Sequence, residues 1–274
     1  MIPVIDLKAK DALDQIRKAY TTVGFAVFTN CLSKKEQSDM NCWFDEMKQF
    51  FALDHDTKMK YPDENVDPTA PKDLKESFNY NNMRMSDKLW PDGLPDFKAT
   101  ALQSIDIADK LTLRILGMFD KILDTGNKLV DSHMRPFNTT RVIHYPAVTG
   151  VLEDKQMRIG EHSDYGTITL LWQINDVPGL EVQDLDGVWH PVPYAENGVV
   201  CNIGDLLQRW TNDYFKSTKH RVVNSHIHQE RYSMPHFVDP TPGTIVDNLR
   251  FNEASKYPPI ESKEYLMWRL AQSY

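Results

Sequence analysis

His162-Ser163-Asp164-Tyr165-Gly166-Thr167-Ile168-Thr169-Leu170-Leu171 opens polar and closes apolar. On an extended chain, residues i and i+2 point to the same face. An imidazole at 162 and a carboxylate at 164 therefore reach one point from adjoining positions, at the rim of the strand that Ile168 to Leu171 carries into a core. Farther on, His220 stands in Ser217-Thr218-Lys219-His220-Arg221-Val222-Val223-Asn224, a second β-rich run. Two imidazoles and one carboxylate are the donor set that holds Fe(II) and leaves coordination positions open. A zinc site uses the same donor types. A rival pair, His226-Ile227-His228, has the same-face spacing but no carboxylate at the matching offset.

Outward from this stretch the texture is β. Short runs rich in Val, Ile, Thr and Trp alternate with Gly, Pro, Asn and Asp turns, and they predict strands near 138–146, 157–162, 166–173, 179–184, 188–193, 198–203, 217–224 and 229–238. Many short strands at this spacing indicate a sandwich or barrel of jelly-roll type. Helical spacing covers 11–22, a helix opened by the Ser33/Glu36 capping box, 98–124 with Gly126 as its stop, and 261–272. The proline-rich segment 61–97 lacks period and is expected to be a lid. The fold class expected is mainly β with flanking helices. One domain is expected over 1–274, with a helical and mixed part at 1–135, the β core at 136–245 and a closing helix at 246–274.

Arg231-Tyr232-Ser233 follows His220 as the next strand. A guanidinium fork and a hydroxyl on one face make a carboxylate clamp. Beside a metal with open positions, the clamp suits a dicarboxylate that chelates the ion at its other end.

Composition narrows the partners. The chain of 274 residues carries 31 basic and 39 acidic residues, a net charge of −8, with no basic stripe. A small-molecule substrate is expected, and neither nucleic acid nor membrane; the oligomeric state is left open. Cys31, Cys42 and Cys201 have no CxxC spacing, which suits free thiols and a cytoplasmic setting. The N-terminus has no secretory pattern.

These motifs resemble the 2-oxoglutarate and Fe(II)-dependent dioxygenases of the isopenicillin N synthase-like group. The resemblance runs over nearly the whole chain: Pro3 to Leu7, Gly24-Phe25, Phe50-Phe51 with Lys58 and Tyr61, Lys75-Glu76-Ser77-Phe78, and Trp90-Pro91 with Leu94-Pro95. Its specific part is the His162/Asp164 stretch, Asn202-Ile203-Gly204-Asp205-Leu206-Leu207 with Trp210-Thr211-Asn212, the His220 run, and Arg231 with Ser233. The resemblance implies a double-stranded β-helix core, jelly-roll and cupin-like. It implies Fe(II) on His162, Asp164 and His220, and no catalytic side chains beyond those ligands. It implies 2-oxoglutarate and O2 as cosubstrates, with ascorbate as a candidate reductant. Arg231 and Ser233 would bind the far carboxylate with help from Tyr145. Ile143 stands where many members carry Asn. The implied reaction oxidises a C–H bond of a small metabolite, first of all by hydroxylation, while 2-oxoglutarate becomes succinate and CO2. Phe78, Tyr80 and Met83 in the lid segment, and Phe237 beyond the clamp, are the expected substrate contacts. The alternatives are an iron oxidase or cyclase of the isopenicillin N synthase kind that uses no 2-oxoglutarate, and a non-catalytic small-ligand binder on the same fold.

Overall fold

A computed structural model describes residues 1–61, 73–80, 90–134, 138–150, 156–250 and 252–272. The strands are β1 (Val4–Asp6), β2 (Phe25–Thr29), β3 (Glu76–Tyr80), β4 (Thr139–Tyr145), β5 (Ile159–His162), β6 (Ile168–Gln173), β7 (Leu180–Gln183), β8 (Trp189–Pro191), β9 (Val199–Ile203), β10 (His220–Val222), β11 (Arg231–Val238), β12 (Ile245–Val246) and β13 (Ile260–Glu261). The helices are α1 (Ala12–Thr22), α2 (Lys34–Phe51), α3 (His55–Lys58), α4 (Phe97–Leu123), α5 (Lys128–Ser132), α6 (Asp205–Trp210) and α7 (Ser262–Ala271). A seven-stranded sheet runs β1-β2-β9-β6-β11-β4-β3, and a four-stranded sheet runs β5-β10-β7-β8. Two facing sheets with helices outside form the jelly-roll core.

The two-residue period of the strands sorts the side chains. Ile168, Leu170 and Trp172 of β6, with Val199, Cys201 and Ile203 of β9, join the helix-side core. Their alternates turn inward: Val200 joins the cluster between the sheets with Phe25, Val27, Tyr145, Val182 and Val222. Every residue of β9 is buried because both its faces are covered. The helices follow from their stripes. Met40, Trp43, Phe44, Met47, Phe50 and Phe51 form the buried face of α2, whose capping box is present as expected. At about 1.5–3 kcal/mol for each large apolar side chain withdrawn from water, this stripe rather than helix propensity holds α2 in place.

Strands β1, β2 and β3 extend the core sheet, so the mixed 1–135 part supplies strands as well as helices. Two features differ from expectation. The helix near 98–124 ends at Leu123, and Asp124, at φ 56°, takes the left-handed cap expected of Gly126. Within the lid segment, 76–80 is an edge strand paired along β4; residues 62–72 and 81–89, including Met83, lie outside the described residues.

Two glycines set the position of the turn after His162. A Cβ on Gly204 would lie 2.2 Å from the Gly166 carbonyl oxygen, and one on Gly166 would lie 2.5 Å from that of Val238. Only hydrogen fits at either place. The Asp164 turn thereby seats on the start of α6, where the Asp205 amide donates to the Asp164 carbonyl at 2.8 Å.

Candidate active site

His162 ends β5 and His220 begins β10, and the two lie directly opposite in the antiparallel pairing. Their rings are 4.2 Å apart. Asp164, in the turn after β5, brings Oδ1 to 4.0 Å from His162 Nε2 and 3.7 Å from His220 Nε2. The three ligand atoms lie within 4.8 Å of one another, the one His/Asp/His cluster of this kind among the described residues.

Each of these side chains has its other polar atom engaged. His162 Nδ1 donates to the Gly160 carbonyl at 2.9 Å, and His220 Nδ1 to the Thr218 carbonyl at 3.1 Å. Both Nε2 lone pairs are thus left free. Asp164 Oδ2 accepts from Thr169 Oγ1 at 2.6 Å and from Asn202 Nδ2 at 2.7 Å, which leaves Oδ1 toward the histidines. Burial, and next the charge of His220, push the His162 imidazole down to about 4, so it is neutral near pH 7. Burial alone would raise the Asp164 carboxyl. The imidazoles of His220 and His162, then Thr169 and Asn202, outweigh it and hold the group below its ordinary value. Two imidazoles and one carboxylate, each pinned from behind, fit a divalent cation of the Fe(II) type.

The same cavity, about 640 Å³, is also lined by Tyr145, Arg231, Ser233 and Phe237. Along β11, Arg231, Ser233 and Phe237 share a face. Arg231 pairs with Tyr145 and Ser233 with Ile143 on β4, while Phe237 pairs with Thr169 on β6. Phe237 is therefore at the Asp164 end, and Arg231 lies about 20 Å along the strand from it. Arg231 is 1% exposed, and none of its guanidinium nitrogens has a hydrogen-bond partner. Ser233 Oγ is likewise buried without one. Burial pushes the Arg231 guanidinium down, and only Tyr145 pushes it back up. A buried cation and hydroxyl with unused donors fit a carboxylate, the far end of a dicarboxylate reaching toward the metal. Ile143 is buried and apolar against this stretch, so the wall beside Ser233 offers no donor there.

Phe78 and Tyr80 are corrected. They alternate to the helix side of β3, where Phe78 meets Phe50 at 5.1 Å and Tyr80 bonds Ser104 Oγ at 2.9 Å. The residues of that segment which line the cavity are Asp73, Lys75 and Ser77. His226 and His228 sit exposed in a turn; His228 Nδ1 donates to the Val148 carbonyl. Thr169, Asn202 and Asp205 serve the site through hydrogen bonds rather than as ligands. Asp205 accepts from Ser163 and Ser217, one beside each half of the histidine pair, and ion-pairs with Arg269 of α7. The available signal is a polar residue inside an otherwise apolar run, Asn202 in β9.

The profile of the 2OG-Fe(II) oxygenase superfamily matches residues 136–240, and that of the non-haem dioxygenase in morphine synthesis N-terminal region matches 2–94. Proline hydroxylase buaE of Petromyces alliaceus is 35% identical over 228 residues, which cover 75% of this chain and 70% of that protein. The chain belongs to the 2OG-Fe(II) oxygenase superfamily. A second relative, the 2-oxoglutarate-Fe(II) type oxidoreductase hxnY of Emericella nidulans, is 32% identical over 269 residues, 84% of this chain and 76% of that protein. A full-length Neurospora crassa protein, solved in complex with alpha-KG and thymine, superposes with a TM-score of 0.86 at 28% identity, covering 100% of this chain and 97% of that one. This oxygenase is accordingly a 2-oxoglutarate-dependent non-haem Fe(II) dioxygenase, with O2 as cosubstrate.

Proposed function

We propose that His162, Asp164 and His220 hold the Fe(II) of this oxygenase, and that Arg231, Ser233 and Tyr145 hold the far carboxylate of 2-oxoglutarate. The observation that carries this reading is the pairing, in one cavity, of three converging ligand atoms with a buried guanidinium that has no partner. Bound there, Fe(II) with 2-oxoglutarate and O2 supplies an oxidant for a C–H bond, and the keto acid leaves as succinate and CO2. The chain's own residues orient and exclude. Thr169 and Asn202 keep Asp164 Oδ1 turned to the histidines. Phe25, edge-on to the His220 ring at 5.3 Å, and Leu171, Leu180 and Val222 make the walls apolar and limit stray water.

The substrate in this reading is a small cyclic or planar metabolite, and hydroxylation is the outcome. Phe237 offers a ring face at the Asp164 end. Arg141 places Cζ 5.7 Å from that ring, with Nε held by Asn79 at 2.6 Å, so its remaining nitrogens can meet a carbonyl or carboxylate oxygen. The thymine bound to the Neurospora crassa protein and the proline named for buaE are small rings with such oxygens. The match of the N-terminal dioxygenase profile supports a place in the isopenicillin N synthase-like group. Free thiols at Cys31, Cys42 and Cys201 support a reducing, cytoplasmic setting.

The test is an anaerobic titration of the Fe(II)-loaded protein with 2-oxoglutarate, watching the weak visible charge-transfer band, followed by a screen of nucleobases and amino acids for succinate release. A saturable band that is lost in Asp164→Ala is expected. Iron binding with no band would favour the oxidase alternative, with Arg231 holding a carboxylate of the substrate itself.

A further inference from the structure

A second arginine is buried behind the far end of the cavity. Arg158, four positions before His162, is 0% exposed. Its backbone is fixed: the amide donates to Asn224 Oδ1 at 3.0 Å, and Asn224 Nδ2 returns to the Gln156 carbonyl at 2.7 Å. Its Nη2 donates to the carbonyl of Gln229, in the loop that leads into Arg231. Nε and Nη1 have no partner. Arg158 does not line the cavity; Tyr145 does. Both guanidiniums lie against that one ring, Arg231 with Cζ 5.0 Å and Arg158 with Cζ 5.7 Å from its centroid. No acidic side chain among the described residues pairs with either.

We infer that Arg158 is a positioning residue of the 2-oxoglutarate site, a second buried cation that, through Tyr145, makes the far end of the cavity selective for a full carboxylate anion. The inference rests on the placement of that carboxylate at Arg231. Two buried cations near one another with no anion are costly, because each loses hydration and each repels the other. Burial, then the charge of Arg231, push the Arg158 guanidinium down, so the two groups sense each other. A carboxylate at Arg231 relieves both at once. A neutral group of the same shape relieves neither. Arg231 alone would orient a keto acid; the additional charge raises the difference between a keto acid with a far carboxylate and one without it.

The experiment compares 2-oxoglutarate with 2-oxopentanoate, which has the same chain length and no far carboxylate. The anaerobic Fe(II)-loaded wild type, R158Q and R158K are titrated with each, using the charge-transfer band. R158Q is expected to raise the dissociation constant for 2-oxoglutarate at least tenfold and to change that for 2-oxopentanoate less than twofold. R158K, which keeps the charge, is expected to stay within about threefold of wild type for both. In thermal melts, R158Q without keto acid is expected to melt no lower than wild type, and its gain on adding 2-oxoglutarate to be smaller. Equal losses for the two keto acids, or an unchanged 2-oxoglutarate constant in R158Q, overturn the role of Arg158 and leave Arg231 in place. A wild type that does not distinguish the two keto acids overturns the Arg231 assignment, and this inference with it. If R158Q is not recovered folded, R158K against R158M carries the same comparison.

Discussion

The two faces of the seven-stranded sheet are built on different terms. On the helix side, aromatic rings close on one another: Trp43 meets Phe97 at 4.8 Å and Tyr80 at 5.1 Å, and Phe50 meets Phe78 and Phe97 at 5.1 and 5.4 Å. Such contacts are complete in the chain itself and contribute stability directly. On the cavity side, Arg231 and Ser233 are as deeply buried, yet their polar atoms lack partners. That face is complete only with something bound. Buried surface therefore has two meanings in one sheet. The helix side contributes stability alone, whereas the other side adds to its own apolar cluster the capacity to bind, at a cost in unsatisfied groups.

The largest expected effect tests the cavity side. His162→Ala or Asp164→Ala should abolish measurable Fe(II) retention and succinate formation, with a melting temperature near that of the wild-type apoprotein. Iron retained at the wild-type level in either variant would remove those residues from the site. The matching change on the helix side is Phe97→Ala. It should destabilise the fold by about 3–5 kcal/mol and leave the 2-oxoglutarate constant of the folded fraction unchanged; chemical denaturation and the band titration measure the two.

Arg231→Met sharpens the contrast, because a buried side chain is replaced without losing a protein partner. It should weaken 2-oxoglutarate binding by about 2–5 kcal/mol while costing little stability. A large stability loss with unchanged affinity would make Arg231 a core residue instead.

A pH test separates the faces without touching the cavity. His133 is 0% exposed; Nδ1 donates to the Leu129 carbonyl at 2.6 Å, and Nε2 accepts from Thr167 Oγ1 at 2.9 Å. Burial pushes its imidazole down from 6.5 to about 4, against the Leu129 bond that raises it. The unfolded chain therefore takes up the proton first. Its contribution is fully present above about pH 6.5 and is lost as pH falls toward 4, on the order of 3 kcal/mol in all. His133→Gln should flatten that part of the stability profile in denaturant titrations at pH 7.5 and 5. An equally steep loss in the variant would assign the acid sensitivity elsewhere.

The smallest expected effect is at Asn202→Ala, which frees Asp164 Oδ2 from one of its two donors. Metal affinity should fall about 10- to 100-fold, readable by calorimetry with Mn(II), with little change in melting temperature.

What the residues alone determined was local in range. His162 and Asp164 were legible because a two-residue step on a strand shares one face, and the strand texture from 138 onward was legible because each run is bounded by its own turns. The α2 stripe and its capping box were legible for the same reason: three- and four-residue steps need no distant partner. Tertiary structure decided the rest. Phe78 and Tyr80 look like substrate contacts in a polar, proline-rich segment, but the pairing of β3 with β4 sends them to the helix side and sends Ser77 to the cavity. A strand's period says which residues share a face; only its neighbours say which face is the inside. Asn202 reaches Asp164 across 38 positions, and Arg158 meets the ring of Tyr145 only because β10 pairs with β5 and β11 with β4. Such hydrogen bonds and charge pairs depend on where strands far apart in the chain come to rest. Spacing along the chain carries no trace of that, because it is settled by the burial of apolar faces elsewhere in the molecule.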